Sequence, residues 1–366
     1  MIVSSRGLKE NFTIVPGIID SRNQMRIIFL ICLTLITCSS ANWLIGMKPV
    51  ILPELSKPHY IIIDDEQLIV VDGGKQIHLY SIKNFKYQKQ IFKHGEGPGE
   101  AQFATYVWTS PQYIYLYCLG KNLFFTRDGN YLKEFRTPIA NTSFIRPIGE
   151  KFLCLNRNNN KSISGSLYDL SFYNYTEKKE MKYEILLYSY SIPPNILKKS
   201  RRPLTLIYPE QNVSVFKNRI FICDSDRGLF VQVHDTEGNR LYQVRLDYEK
   251  IKVPENYAKE FLDGIKKKGQ WDSFNSQFYY NEPEYFPAFF RFYVGKNKFY
   301  FLTYKRIGNN REVIICDWQG KNIKKGYIPW INYWDLRNYY IWNDKFYWLV
   351  DNQETEEWEL HVADVK

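Results

Sequence analysis

Asn218 to Asp224 reads NRIFICD, Ser225 to Gly228 reads SDRG, Leu229 to His234 reads LFVQVH, and Asp235 to Leu241 reads DTEGNRL. An apolar run rich in β-branched and aromatic residues is broken by a polar turn, resumes, and ends in an Asp/Gly hairpin signal. That is a strand, a turn, a strand and a tight hairpin. The succession recurs along the chain. Gln67 to Asp72 (QLIVVD) stops at Gly73-Gly74 before Ile77 to Ile82 resumes it, and Lys296 to Thr303 and Asp344 to Asp351 (DKFYWLVD) repeat the strand. Tyr113 to Leu119 and Lys151 to Asn156 are weaker copies. The hairpin returns at Thr126 to Leu132 (TRDGNYL) and at Asp317 to Ile323 (DWQGKNI).

Repetition of this kind marks antiparallel four-stranded units arranged radially. Six units are expected, near residues 59–92, 104–136, 143–187, 212–246, 286–327 and 338–363. The fold class is therefore all-β, a six-bladed β-propeller of four-stranded antiparallel blades. The last unit shows only three strands, and an open ring would leave a bare sheet edge. Lys48 to Leu52 (KPVIL) can supply the missing outer strand and close the ring, with Pro49 tolerable at an outermost edge. Two stretches interrupt the repeat. Residues 188–211 read as a long loop rich in Pro, Ser, Lys and Arg. Residues 250–285 contain an inserted helix, Pro254 to Lys268, with Tyr257, Phe261, Leu262 and Ile265 on one face.

The 366 residues carry a formal charge of +10, are 45 % hydrophobic and 24 % charged, and so are not those of a disordered chain. Aromatics reach 17 %, which suits sheet. Ile27 to Ile36 (IIFLICLTLI) is too short to span a bilayer. It follows Met25-Arg26 and precedes Thr37-Cys38-Ser39-Ser40, the layout of a secretory signal. Leu35-Ile36-Thr37-Cys38 resembles a bacterial lipobox, with Thr37 departing from the small residues usual there. The reading is an exported protein with Met25 as its natural start, residues 1–37 removed, Cys38 lipidated, a tether over 38–47 and one propeller domain over 48–366. Loss of residues 1–37 leaves 45 Lys+Arg against 37 Asp+Glu, a net of +8. The runs Leu197 to Arg202 and Ile265 to Lys268 read as solvated loop and helix-end charges, and nucleic acid is not expected as a partner. Cys118, Cys154, Cys223 and Cys316 sit in strand-like stretches without metal or redox spacing and read as buried thiols.

Gln90 to Phe103 reads QIFKHGEGPGEAQF. It resembles the G-x-G-P-G-E-F linker between blades of NHL-type propellers, and residues 48–366 resemble the bacterial six-bladed β-propeller lipoproteins with TolB-like and NHL-like repeats. Ala101-Gln102 widens the family spacing, and no other blade carries the linker. The resemblance implies a secreted or membrane-anchored recognition protein. Gly95, Gly97, Pro98, Gly99 and Glu100 read as a linker turn with glycines at positive φ. They lack the G-K-[ST] ending of a nucleotide loop.

No H-x-x-x-H, H-E-x-x-H or G-x-S-x-G pattern occurs. No catalytic residue, metal ligand or cofactor is assigned. Family relatives that are lyases or lactonases hold a metal at the channel mouth, but no such ligand set can be matched here residue by residue. Asp72, Asp224 and Asp351 end strands in one register and read as turn caps, or alternatively as a ring of carboxylates at the channel mouth. His78 and His234 hold matching places in the third strand of their units and read as strand histidines or channel residues. Asp64-Asp65-Glu66 reads as a solvated hairpin turn. The aromatic surplus reads as packing between blades or as stacking surface for a ligand. The function expected is recognition of a protein, peptide or glycan by a monomer anchored in the cell envelope. A metal-dependent hydrolase or lyase and an envelope-complex scaffold are the alternatives.

Overall fold

A computed structural model describes residues 48–118, 121–136, 142–148, 151–158, 167–174, 179–188, 202–204, 206–207, 209–267, 271–272, 278–280, 283–330 and 338–366. The signal segment, Cys38 and the tether lie outside the described residues. Residues 47–366 form one compact unit.

The described strands pair into six four-stranded antiparallel sheets, spanning 58–90, 104–136, 142–188, 211–246, 291–329 and 339–364. Within the first five, the strands follow chain order from first to fourth. The sixth takes its fourth strand from Val50–Ile51, with Val50 opposite Leu360 and Ile51 opposite Glu359. The expected closing strand is thus in place. Leu52 continues the seal with its side chain buried and its N–H donated to the Trp358 carbonyl at 2.8 Å.

The strand chemistry explains the layering. Second strands are covered on both faces by neighbouring sheets, so Gln67–Asp72 is buried at every position and its sequence is a continuous apolar run. Fourth strands face water, and Tyr87–Gln90 is exposed throughout. Apolar clusters fill the seams between successive sheets. Ile69, Leu79 and Ile114 join the first and second sheets, and Tyr115, Phe124 and Phe152 the second and third. Phe221, Phe299 and Phe301 join the fourth and fifth. Tyr300, Ile341 and Phe346 join the fifth and sixth, and Leu360, Tyr347 and Ile61 the sixth and first. The third and fourth are neighbours through their first strands and a Lys151–Glu237 ion pair. The architecture is an all-β propeller of four-stranded antiparallel blades.

Two of the Asp/Gly hairpins hook their sheet onto the one before. Gly320, at φ +76°, lies so close to the fourth sheet that a Cβ there would sit 2.7 Å from Val244 Cγ1, and Gly129 seats against Ile91 in the same way. Both interruptions of the repeat lead into the starts of first strands. A parallel pair, Arg202–Leu204 with Phe278–Tyr280, joins them. The helix is shorter than the sequence suggests, running Lys259–Lys267. Residues 254–258 form turns instead, with Tyr257 N–H bonded to the Pro254 carbonyl and Lys259 N–H to that of Asn256. Tyr257 packs edge-on against Phe286, so this insertion anchors to the propeller's own core.

Candidate ligand-binding cavity

The first strand of every sheet faces a central cavity of about 1680 Å³. From these strands its wall takes His59–Ile63, Ala104, Tyr106–Thr109, Arg146–Ile148, Gln211–Phe216, Arg291–Val294, and Tyr339, Tyr340 and Trp342. Strand alternation sends one set of these side chains into the seams and the other towards the axis. Val107 is buried in a seam, whereas Tyr106, one residue earlier, is 43 % exposed and lines the cavity. Tyr106 lies on the Trp108 ring at 5.6 Å and 29°, and Trp108 on Tyr115 at 5.5 Å and 29°. The result is a short ladder of rings whose inner member faces open space.

Arg146, from the third sheet, projects over the Trp108 ring at 5.3 Å. Burial pushes its guanidinium down to about 9, against the opposing pull of Tyr340, Tyr106 and Cys223, so it stays charged at neutral pH. Those three groups belong to the sixth, second and fourth sheets, which places Arg146 towards the axis. Burial, partly offset by Arg146, raises the Tyr340 phenol to about 12, leaving it a neutral hydrogen-bonding group.

The two ends of the cavity differ. Where first strands turn into second strands, Asp64, Asp65 and Glu66 form the first sheet's hairpin. Arg127 from the second sheet grips both Asp64 oxygens at 2.9 and 2.7 Å and reaches Glu66 at 3.3 Å. Lys296 holds Asp65 at 3.0 Å and Asn343 donates to it at 3.3 Å. Burial alone would raise the Asp65 carboxyl, but the Lys296 and Asn343 bonds hold it below its ordinary value. The expected solvated turn is therefore an inter-sheet clasp. Where first strands begin, Glu210 meets Arg291 at 3.7 Å and accepts from Asn212 Nδ2 at 3.3 Å. Burial outweighs Arg291 there and raises the Glu210 carboxyl.

The five residues proposed from sequence for the channel mouth do not line this cavity. Asp72, Asp224 and Asp351 lie on second strands, and His78 and His234 on third strands, so each stands one or two strands outside the wall. Asp72 is buried and accepts from Ser56 N at 2.8 Å, Ser56 Oγ at 2.9 Å and Lys57 N. Asp224 caps the following turn through Asp226 N at 3.1 Å. Asp351 is exposed. His78 contacts Gln76 Oε1 at 3.2 Å, and His234 contacts the Gly238 carbonyl at 2.9 Å. Burial lowers both imidazoles.

The glycine linker is structural, though for a different reason than expected. Gly99 alone of its three glycines is left-handed, at φ +73°. At Gly97 a Cβ would stand 3.0 Å from Glu100 Oε2, so close approach explains the residue. Gly97 N–H donates to Glu100 and Gly99 N–H to Glu134, while Lys121 crosses three carbonyls at 3.1–3.2 Å. The amides that would cradle an anion are engaged. The four described cysteines stand as buried thiols, as read from sequence, with burial raising Cys118 and Cys316 to about 12. Among the described residues no group of three or more His, Cys, Asp or Glu is placed to hold a metal ion.

Sequence reading passed over Arg146, Glu210 and Arg291. The available signal was a charge at the first strand of a unit, as in Phe144-Ile145-Arg146-Pro147 and Phe290-Arg291-Phe292. Most aromatics of the 289–293 run are buried in seams, which supports packing as their main role.

No family model and no curated protein matches the chain. Among solved structures it is similar to the WD40 repeats of RRP9, at 9 % identity and TM-score 0.43 over 87 % of this chain and 97 % of that one. It is similar to the computationally designed protein Ika8, at 8 % identity and TM-score 0.39 over 86 % and 98 %. Against BamB from Moraxella catarrhalis the values are 10 %, 0.28, 82 % and 71 %. Likenesses of this size carry no function across, and the fold assignment rests on the sheet order itself.

Proposed function

We propose that the protein is a recognition module, a six-bladed propeller that receives a protein, peptide or glycan in its central cavity and has no catalytic chemistry of its own. The observation that carries this reading is the wall itself. Inner strands of all six sheets surround a space larger than the few hundred to a thousand Å³ typical of small-molecule sites, and its surface combines open aromatic faces with charged groups. Export and attachment to the cell envelope through lipid on Cys38 belong to the same proposal, supported by Met25-Arg26, the apolar run to Ile36 and the lipobox-like Leu35 to Cys38. Intact mass of protein taken from native membranes tests the anchor. Acylation at Cys38 is expected, and an unmodified chain retaining residues 1–37 would remove it. Retention on peptide and glycan arrays tests recognition, with Tyr106→Ala expected to lose what the wild type holds. Stable co-purification with other envelope proteins is the result that would favour a scaffold instead.

One observation favours a second, enzymatic reading. Glu210 is a carboxyl raised by burial beside Arg291 at one mouth, the kind of perturbed group that serves acid–base chemistry. Glu210→Gln separates the two: a hydrolase or lyase loses turnover on a retained ligand, and a recognition module keeps its binding and shows no turnover to lose.

A further inference from the structure

We infer that the hairpin tip joining the second and third strands of the fifth sheet binds a phosphate monoester, held between Arg306 and Arg311 beside the Trp330 ring. None of these three residues lines the central cavity, so the inference stands apart from what that cavity receives.

Three features lead to it. First, Arg306 and Arg311 stand directly opposite one another across the paired strands Lys298–Ile307 and Asn310–Asp317. Residues so placed share one face of the sheet, and like charges there repel. Both guanidiniums converge on one indole, 4.6 and 4.1 Å from the Trp330 centroid, and the Trp330 backbone N–H ties that residue to the tip through the Asn309 carbonyl at 2.8 Å. The ring offsets part of the repulsion. Among the described residues neither arginine makes an ion pair with a carboxylate, and the groups acting most strongly on Arg311 are phenols and Arg306 itself. Second, Arg311 is a fixed charge. It is 5 % exposed, flanked by the Phe290 and Trp330 rings, and its Nη1 donates to the Thr303 carbonyl at 3.2 Å. Its Nε and Nη2 donate to nothing among the described residues, yet they are not sealed from solvent. Arg306 is exposed and bonds only the Gly308 carbonyl, through Nε at 2.8 Å, which leaves its Nη groups for a ligand. Third, two forks ask for more than a carboxylate, which one guanidinium already fills. A phosphate monoester carries close to two negative charges and three terminal oxygens, so it can take a fork from each arginine. The tip around it is apolar, with Ile307 44 % and Trp330 38 % exposed, which suits the carbon side of an ester. That ester has two possible sources, a lipid headgroup or a soluble phosphate ester, and both present the same group to the arginines.

Isothermal titration of the full chain with glycerol 3-phosphate and with acetate, at one fixed ionic strength, tests the site. Saturable one-to-one binding of glycerol 3-phosphate is expected, with acetate at least tenfold weaker. Arg306→Gln and Arg311→Gln should each weaken glycerol 3-phosphate at least tenfold, and Arg306→Lys, which keeps the charge without the fork, should fall between. Arg306 is exposed, so its variants decide the matter if Arg311→Gln fails to fold. Lys305→Gln, the neighbouring charge on the same strand, should change binding less than twofold. Flotation with phosphatidylcholine vesicles, with and without phosphatidate, names the source. A gain from phosphatidate that Arg306→Gln abolishes identifies a headgroup, and its absence beside intact glycerol 3-phosphate binding identifies a soluble ester. The proposal is overturned if glycerol 3-phosphate does not bind at millimolar concentration or if acetate matches it. It is also overturned if Arg306→Gln binds as the wild type does, or if Lys305→Gln loses as much as Arg306→Gln.

Discussion

Asp72 shows how one buried carboxylate can organise a junction. It gathers Ser56 and Lys57, the residues leading from the closing strand into the first sheet, onto the end of the second strand. Asp72→Ala leaves three donors facing a buried void and should cost about 2–4 kcal/mol in urea unfolding. Asp72→Asn, which keeps one acceptor, should recover part of the loss, and equal midpoints for both variants would contradict the capping role. The histidines set a pH dependence. Burial lowers His78 and His234 in the folded chain, so the unfolded chain binds protons more readily near their ordinary range. Their contribution is complete above about pH 6.5 and falls as pH drops through that value, by up to ~1.4 kcal/mol per pH unit for each histidine. Urea midpoints at pH 7.5 and 5.5 should therefore diverge for the wild type and converge when both histidines become Gln. The sequence showed these residues as repeated polar positions in matching strands. It did not show which strand forms the wall, because a four-strand repeat read in one dimension has no inside. The most conspicuous apolar runs are second strands, buried on both faces, and they drew attention away from the quieter first strands where Arg146 lies.

At the level of elements, the Asp/Gly hairpin was the clearest signal in the sequence, and its structural role explains why. The glycine adopts a left-handed backbone and also leaves room for the preceding sheet. Gly320→Ala meets both penalties, with φ +76° and Val244 Cγ1 at 2.7 Å from the new Cβ, and should lose about 2–3 kcal/mol. Gly308→Ala, at φ +58° with open space around it, meets only the backbone penalty of about 1–2 kcal/mol. Equal losses on thermal unfolding would show that the hairpin does not dock. The closing strand is two residues long, yet Leu52 beside it is only 1 % exposed. Leu52→Ala should cost about 2–4 kcal/mol in denaturant, a large effect for a residue so near the start of the compact unit. Helix length was read less well. Tyr257 has the helical spacing but joins Phe286 in the core from a turn, so tertiary packing took over a position that periodicity alone assigned to the helix.

For the whole molecule, the all-β propeller class, its four-stranded antiparallel units and the closing segment were legible, because each four-stranded unit repeats the same burial problem. The cavity was not legible, since its wall is assembled from six separated strands and its chemistry depends on which neighbours they meet across the axis. Closure turns those strands into a wall, and the pairing of Ile51 with Glu359 is where it can be examined most directly. Partner residues on adjacent strands lie within the range a disulfide can bridge, and the native thiols at Cys118, Cys154, Cys223 and Cys316 are buried away from the reagent. The decisive measurement is peptide mapping of the oxidised double variant Ile51→Cys, Glu359→Cys. The account predicts a bond within one chain between positions 51 and 359, formed without denaturant and accompanied by a raised unfolding midpoint. Two unreacted thiols, or bridges only between chains, would contradict closure of the ring by its own N-terminal strand.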